Sequence, residues 1–447
     1  MHRLFLFVVL LSALVVPMLP AFGGDVPDDS VTTLENGMRV VVRERHSTNL
    51  AAVEIWVRAG SVNETPSQNG VSHMIEHMLF KATSKYGPGQ IDREIEGVGA
   101  ELNGGTSKDW VHFYTTVAGE YLPGVLDMLA DAITNPQFRA EDIEKERQVV
   151  LDEIARSESD TSWRAINLFN RAAFGAHPYA LPSAGTKDVV KRLTRDDLVS
   201  YYKKHYTPEN TCVVIVGDVS RRPAIQCVEK AFSGFHESSD PNDDPTPSES
   251  GSGKGPNIQR IKWSANENCA VLGFPSPPAS EFKEVCAFDV MSVVLGDTFR
   301  GRVSQALNAA KIRFDKVTAD FLVQRYPSMI YVLVSADSAD LEKIPPIILS
   351  EFRKLASEEI PQAELSQAKA RVEGSDLYEQ ETFSGQANVL GLYSSIGYST
   401  MAADYTPMVA SLKGSDITAC AGKYFSGDNY TCIVVGPGKA SEEGAKR

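Results

Sequence analysis

Apolar and polar positions alternate most cleanly over Leu50–Val57. Val53, Ile55 and Val57 share one face there, and Ala52, Glu54 and Trp56 the other, which predicts a strand. Ahead of it, residues 31–45 read as a hairpin about Glu35-Asn36-Gly37. Residues 110–117 form a further strand with mixed faces, and the apolar run Thr211–Gly217 is a buried strand. Helical period marks 90–97, 121–134, 140–158, 164–174 and 194–205. The same alphabet returns later: strands at 270–274, 316–321 and 329–335, and helices at 282–295, 341–356 and 362–379.

The second set echoes the first. Residues 204–217 (KHYTPENTCVVIVG) and 423–436 (KYFSGDNYTCIVVG) are both a helix end followed by a strand, with Cys212 and Cys432 in equivalent places. Such recurrence argues for duplication of one α+β unit. Between the copies, residues 236–257 are polar, acidic and rich in Pro, Ser and Gly, a composition that buries no core and predicts a flexible linker. The expected domains are therefore 24–235 and 258–447.

Residues 1–23 combine an early Arg, an apolar run and small residues at Ala21 and Gly23, the pattern of a cleaved signal peptide. The run is shorter than the roughly 20 residues of a spanning helix, and no later stretch is long and apolar enough, so no stable membrane span is expected. The mature chain is expected in the periplasm of a Gram-negative bacterium. The net charge of −14 over all 447 residues argues against nucleic acid as a partner, because phosphate binding wants basic patches. The six cysteines could pair in that oxidising compartment, but spacing selects no pairing, and Cys212 and Cys432 suit buried thiols equally well.

The candidate chemistry lies in His73-Met74-Ile75-Glu76-His77. Histidines four apart on a helix point the same way and can hold one zinc ion, with Glu76 on the same side to take a proton from water. This is the H-x-x-E-H order. The pattern also suits an amphipathic helix with Met74, Leu79 and Phe80 inward and a polar outer face. A catalytic zinc needs a third protein ligand. The helix at 140–158 places Glu146 and Glu153 on one face, beside an apolar stripe of Ile143, Val150, Leu151 and Ile154. His112 is a metal ligand by residue type only, and His177 reads as part of a loop's structure.

Residues 73–83 (HMIEHMLFKAT), 101–114 (ELNGGTSKDWVHFY) and 144–154 (EKERQVVLDEI) together resemble the insulinase/pitrilysin superfamily, including bacterial relatives of the mitochondrial processing peptidase beta subunit. The resemblance implies a zinc metalloendopeptidase. One zinc per chain would be held by His73, His77 and Glu153, with Glu76 as general base and Glu146 as a supporting carboxylate. It also implies that Asn103 and Gly104 lie on an exposed strand edge, to which a substrate backbone adds. Peptides or unfolded segments would be enclosed in a clamshell chamber of which two repeats form half. A partner chain is thus implied, as homodimer or heterodimer. The family's Arg…Tyr pair falls here on Asn308 and Asp315, neither suited to stabilise an oxyanion, so the partner would supply it. The competing expectation is a non-catalytic structural or peptide-binding subunit of a larger assembly.

Overall fold

The structure, a computed structural model, describes residues 31–236, 255–262, 268–337, 339–397 and 401–436. The expected signal peptide, and nearly all of the expected linker, lie outside the described residues.

Eleven strands form two sheets among the described residues. The first contains β1 (Val31–Thr33), β2 (Arg39–Glu44), β3 (Leu50–Val57), β4 (Asn103–Thr106), β5 (Val111–Ala118) and β6 (Thr211–Gly217), in the order β1-β2-β6-β3-β5-β4. The second contains β7 (Asn257–Lys262), β8 (Cys269–Ser276), β9 (Phe314–Phe321), β10 (Ser328–Ala336) and β11 (Thr431–Gly436), in the order β7-β11-β8-β10-β9. Each sheet is antiparallel except at one pair, β2 with β6 and β7 with β11. The central strands match too. Ile55 of β3 lies between Val213 and Phe113, as Val271 of β8 lies between Ile433 and Leu333. Two copies of one α+β unit account for this correspondence.

The faces of β3 divide as the alternation predicts. Val53, Ile55 and Val57 enter the core of the first unit, with the helices Val71–Leu79, Leu122–Thr134 and Arg195–His205 packed beneath them. Ala52 and Trp56 face the other way and are buried as well. Their cover comes from the second half: the helix Phe383–Ile396 sets Ala387 and Leu390 against Val41, Trp56 and Val214. The exchange is reciprocal. The helix Thr161–Phe174 of the first half sets Ala165 and Phe169 against Val271, Leu333 and Ile433 of the second sheet. Both contacts depend on a residue without a side chain. A Cβ on Gly391 would meet Trp56 Nε1, and one on Gly273 would meet the Phe169 ring at 2.8 Å.

Sequence boundaries shift where local bonds intervene. The helix expected from 164 starts at Thr161, because the Asp160 carboxylate accepts a 2.9 Å hydrogen bond from the Trp163 N–H and caps it. None of the six cysteines forms a disulfide. No helix among the described residues is long and apolar enough to cross a membrane.

Candidate metal centre

The helix Val71–Leu79 buries Met74, Ile75, Met78 and Leu79 in the core, which turns His73, Glu76 and His77 to the opposite side. Its start is fixed by Glu64. That buried carboxylate accepts hydrogen bonds from Gly70 N and Asn69 Nδ2 at 2.8 Å and from Ser72 N at 2.9 Å. Its oxygens satisfy N–H groups that the start of a helix leaves without partners. Gly70 has φ +99°, which favours glycine, and a Cβ on it would strike Gly185.

The helix Ala140–Glu158 lies alongside, with Ile143, Val150 and Ile154 buried and Leu151 partly so. Glu146 and Glu153 therefore project toward the two histidines, while Glu141 and Glu144 are exposed. His73 Nε2 stands 3.0 Å from His77 Nε2 and 3.2 Å from Glu153 Oε2, and the third separation is 3.6 Å. Four-coordinate zinc, with bonds near 2.0–2.2 Å, sets ligand atoms about 3.3–3.6 Å apart. One separation matches that spacing and the other two fall up to a few tenths of an ångström short of it, so the three atoms converge on a single point that an ion could occupy. His77 Nδ1 faces Glu146 Oε2 at 3.1 Å. Donation there leaves Nε2 as the lone-pair nitrogen, directed at the trio. Lys81 Nζ, at 2.9 Å, holds the other Glu146 oxygen.

Electrostatics favour ligation at His73. Burial, with His77 adding, pushes His73 down to about 3, so the imidazole is neutral and ready to ligate. Burial also acts to lower His77, but the Glu146 bond and the surrounding carboxylates outweigh it and raise its pKa. Burial would raise Glu146, yet its contacts with His77 and Lys81 leave it lowered. Burial raises Glu76, against a hydrogen bond from Thr106 and the charge of His77.

Strand β4 runs past the motif helix as the edge of the first sheet, paired among the described residues with β5 alone. Asn103 and Gly104 are exposed on it. Gly104 lies so near Glu76 that a Cβ would come 3.3 Å from its Cγ and Oε1. Thr106, two residues on and on the same face, donates a 2.6 Å hydrogen bond to Glu76 Oε2. Sequence reasoning passed over Thr106, although strand alternation from Gly104 would have found it. It also passed over Glu64, whose bonds reach five to eight residues along a loop of no regular spacing. His112 lies on the far face of β5, away from the trio, and His177 Nδ1 accepts from Tyr179 N as part of its loop. Asn308 and Asp315 are both exposed in the second unit.

A duplicated α+β fold with two histidines and a carboxylate so disposed, beside a half-buried glutamate, has the arrangement of a metalloprotease. The family model for Insulinase (Peptidase family M16) matches residues 39–187, and that for the Peptidase M16 inactive domain matches residues 192–372. An uncharacterized zinc protease of Streptomyces coelicolor is 27% identical over 419 residues, which is 91% of this chain and 89% of that one. A mitochondrial-processing peptidase subunit beta of Arabidopsis thaliana is 35% identical over 215 residues, 48% of this chain and 40% of its own. Among solved structures, a Helicobacter pylori protease superposes with a TM-score of 0.84 at 24% identity, covering 92% of this chain and 99% of that one. The chain belongs to the insulinase/pitrilysin superfamily.

Proposed function

We propose that the chain is a zinc-dependent endopeptidase acting on peptides or unfolded polypeptide segments. The observation that carries this is the spacing of His73 Nε2, His77 Nε2 and Glu153 Oε2, with the Glu76 carboxylate beside them. These three residues would hold one zinc per chain. When bound, that ion would polarise a scissile carbonyl and acidify water.

The chain's own groups do the rest. Glu146 fixes the His77 tautomer, and Thr106 fixes the Glu76 carboxylate. Glu76 takes a proton from water and passes it to the leaving amine. Asn103 and Gly104 offer an unpaired strand edge on which a peptide backbone can add, and main-chain pairing of that kind tolerates many sequences.

The second unit repeats the fold without the trio, which fits a wall over the substrate rather than a second centre. Asn308 and Asp315 offer no cation or phenol to an oxyanion, so a partner chain, a second copy or a related subunit, would complete a chamber and supply an Arg…Tyr pair.

Purified protein with its zinc content measured, incubated with mixed unstructured peptides beside a Glu76→Gln control, tests the reading. Glu76-dependent cleavage is expected, from the chain alone or after a partner is added. Cleavage undiminished in Glu76→Gln would remove Glu76 from its role, and a folded protein that binds no zinc would overturn the enzyme reading in favour of a structural subunit.

A further inference from the structure

The edge hairpins of the two sheets are joined turn to turn. In the first unit residues 107–110 connect β4 to β5, and in the second unit residues 322–327 connect β9 to β10 at the equivalent place. Asp109 lies in the first turn and Arg325 in the second. Tyr179, in the loop after the helix Thr161–Phe174, bonds to both turns. The buried Asp109 carboxylate accepts a 2.7 Å hydrogen bond from the Tyr179 hydroxyl on Oδ1 and a 3.2 Å bond from the Arg325 N–H on Oδ2. The Tyr179 oxygen in turn accepts from the Tyr326 N–H at 3.3 Å. Burial and the Asp109 charge hold the Tyr179 phenol well above its ordinary pKa, so it keeps the proton it donates. A buried network bonded in this way specifies one arrangement, because leaving a member unpaired is costly.

The first of these turns ends the proposed substrate edge. Strand β4 is four residues long with two glycines in its middle, which leaves it little stiffness of its own. In an antiparallel ladder, hydrogen-bonded and non-hydrogen-bonded pairs alternate. Ser107 N donates to Trp110 O at 2.8 Å, so the bonded pairs continue at Gly105 with His112 and at Asn103 with Tyr114. The main-chain groups of Gly104 and Thr106 therefore point away from β5, to the open edge. Thr106 has two tasks in consequence. Its backbone belongs to the edge, and its hydroxyl holds Glu76. Asp109 lies three residues further on.

We propose that Asp109 is a positioning residue for peptide hydrolysis. By tying the β4–β5 turn to the β9–β10 turn, it holds the Gly104 and Thr106 main chain where a peptide backbone can pair, and the Thr106 hydroxyl where it meets Glu76. The second unit thereby takes part in the reaction from a distance. The inference rests on the endopeptidase reading for the reaction that is positioned. His73, His77 and Glu153 stand on two helices outside this tie, so zinc affinity and edge placement can be measured apart.

Two variants test it. Asp109→Asn keeps the size of the side chain but sets an N–H against one of the two donors. Tyr179→Phe removes one donor and leaves the carboxylate, and it carries the test should the first variant fold poorly. Hydrogen exchange read by mass spectrometry should be about tenfold or more faster across residues 103–110 and unchanged in β3 and β6. Zinc affinity should stay the same. In the zinc-loaded Glu76→Gln background, a labelled unstructured peptide should bind about tenfold more weakly, the scale of a lost bond to a charged group. In cleavage assays both variants should raise KM as well as lower kcat, whereas Thr106→Val should lower kcat alone. Exchange unchanged at 103–110, exchange raised throughout the sheet, or a loosened turn with peptide binding and KM intact would each overturn the role. Exchange and binding are read without turnover. Weaker binding with no wild-type cleavage supports the hold of Asp109 on the edge and removes the peptidase reading, while cleavage with the edge unmoved does the reverse.

Discussion

Thr106 Oγ1 donates a 2.6 Å hydrogen bond to Glu76 Oε2, tying the edge strand to the motif helix at the group proposed to move the proton. The bond holds one carboxylate oxygen in place. Thr106→Val should lower kcat about tenfold to a hundredfold, the scale of losing a bond to a charged group. Zinc content should be unchanged, and Thr106→Ser should restore most of the rate. Steady-state kinetics on the three proteins decides it, and a Thr106→Val enzyme at full kcat would show the bond to be incidental.

Glu146 stands one step back from the proposed metal ligands. Without it, His77 loses the acceptor that selects its tautomer. Glu146→Ala should weaken zinc binding by about 10–100-fold, as for other outer-shell partners of ligating histidines. Competition against a chromophoric chelator measures this directly. Glu153→Ala removes a proposed ligand and should lose far more.

Glu54 gives the fold a pH dependence of definite sign. Burial outweighs a hydrogen bond from Trp56 and, with the charge of Glu379, lifts its folded-state pKa from the ordinary 4.5 to about 8. The native state therefore keeps a proton that the unfolded chain gives up. This contribution to stability is fully present below about pH 4.5, declines as pH rises toward 8, and is flat beyond. Glu54→Gln mimics the protonated form and should be more stable than wild type at pH 9, by on the order of a few kcal/mol, while matching it near pH 5. Urea unfolding of both proteins at the two pH values tests the difference. A Glu54→Gln protein less stable at pH 9 would contradict it.

Gly391 lies against the indole of Trp56. Gly391→Ala should cost about 1–3 kcal/mol through overpacking, although alanine is the better helix former. Thermal melting would register the loss, and a raised Tm would mean that the two elements have room to part.

Much of the site was legible because its residues obey helical and strand periods. His73, Glu76 and His77 share a helix face by spacing alone, and the stripe of Ile143, Val150 and Ile154 aims Glu146 and Glu153. The duplicated sheets were foreshadowed by the two helix-to-strand endings. What escaped was set by tertiary contact. The helix Phe383–Ile396 carries Ser384, Gly385, Gly391, Ser394 and Ser395, poor helix formers on their own, and it exists because a sheet of the other half meets it. The helix Met401–Ser411 holds Pro407 in its interior, a residue that argues against helix in any local reading. Glu64 bonds across an irregular loop, where no period could point to it.

The exchange of Thr161–Phe174 and Phe383–Ile396 sets the size of the smallest viable piece of this protein. Residues 31–236 made alone would present Val41, Trp56 and Val214 to water, and the remaining residues would present Val271, Leu333 and Ile433. Neither half is a module that can be moved to another protein or lost without the other. A nick between them would leave two fragments, each carrying the helix that its counterpart needs and able to find it again. The candidate metal centre sits in the first half, but its stability belongs to both.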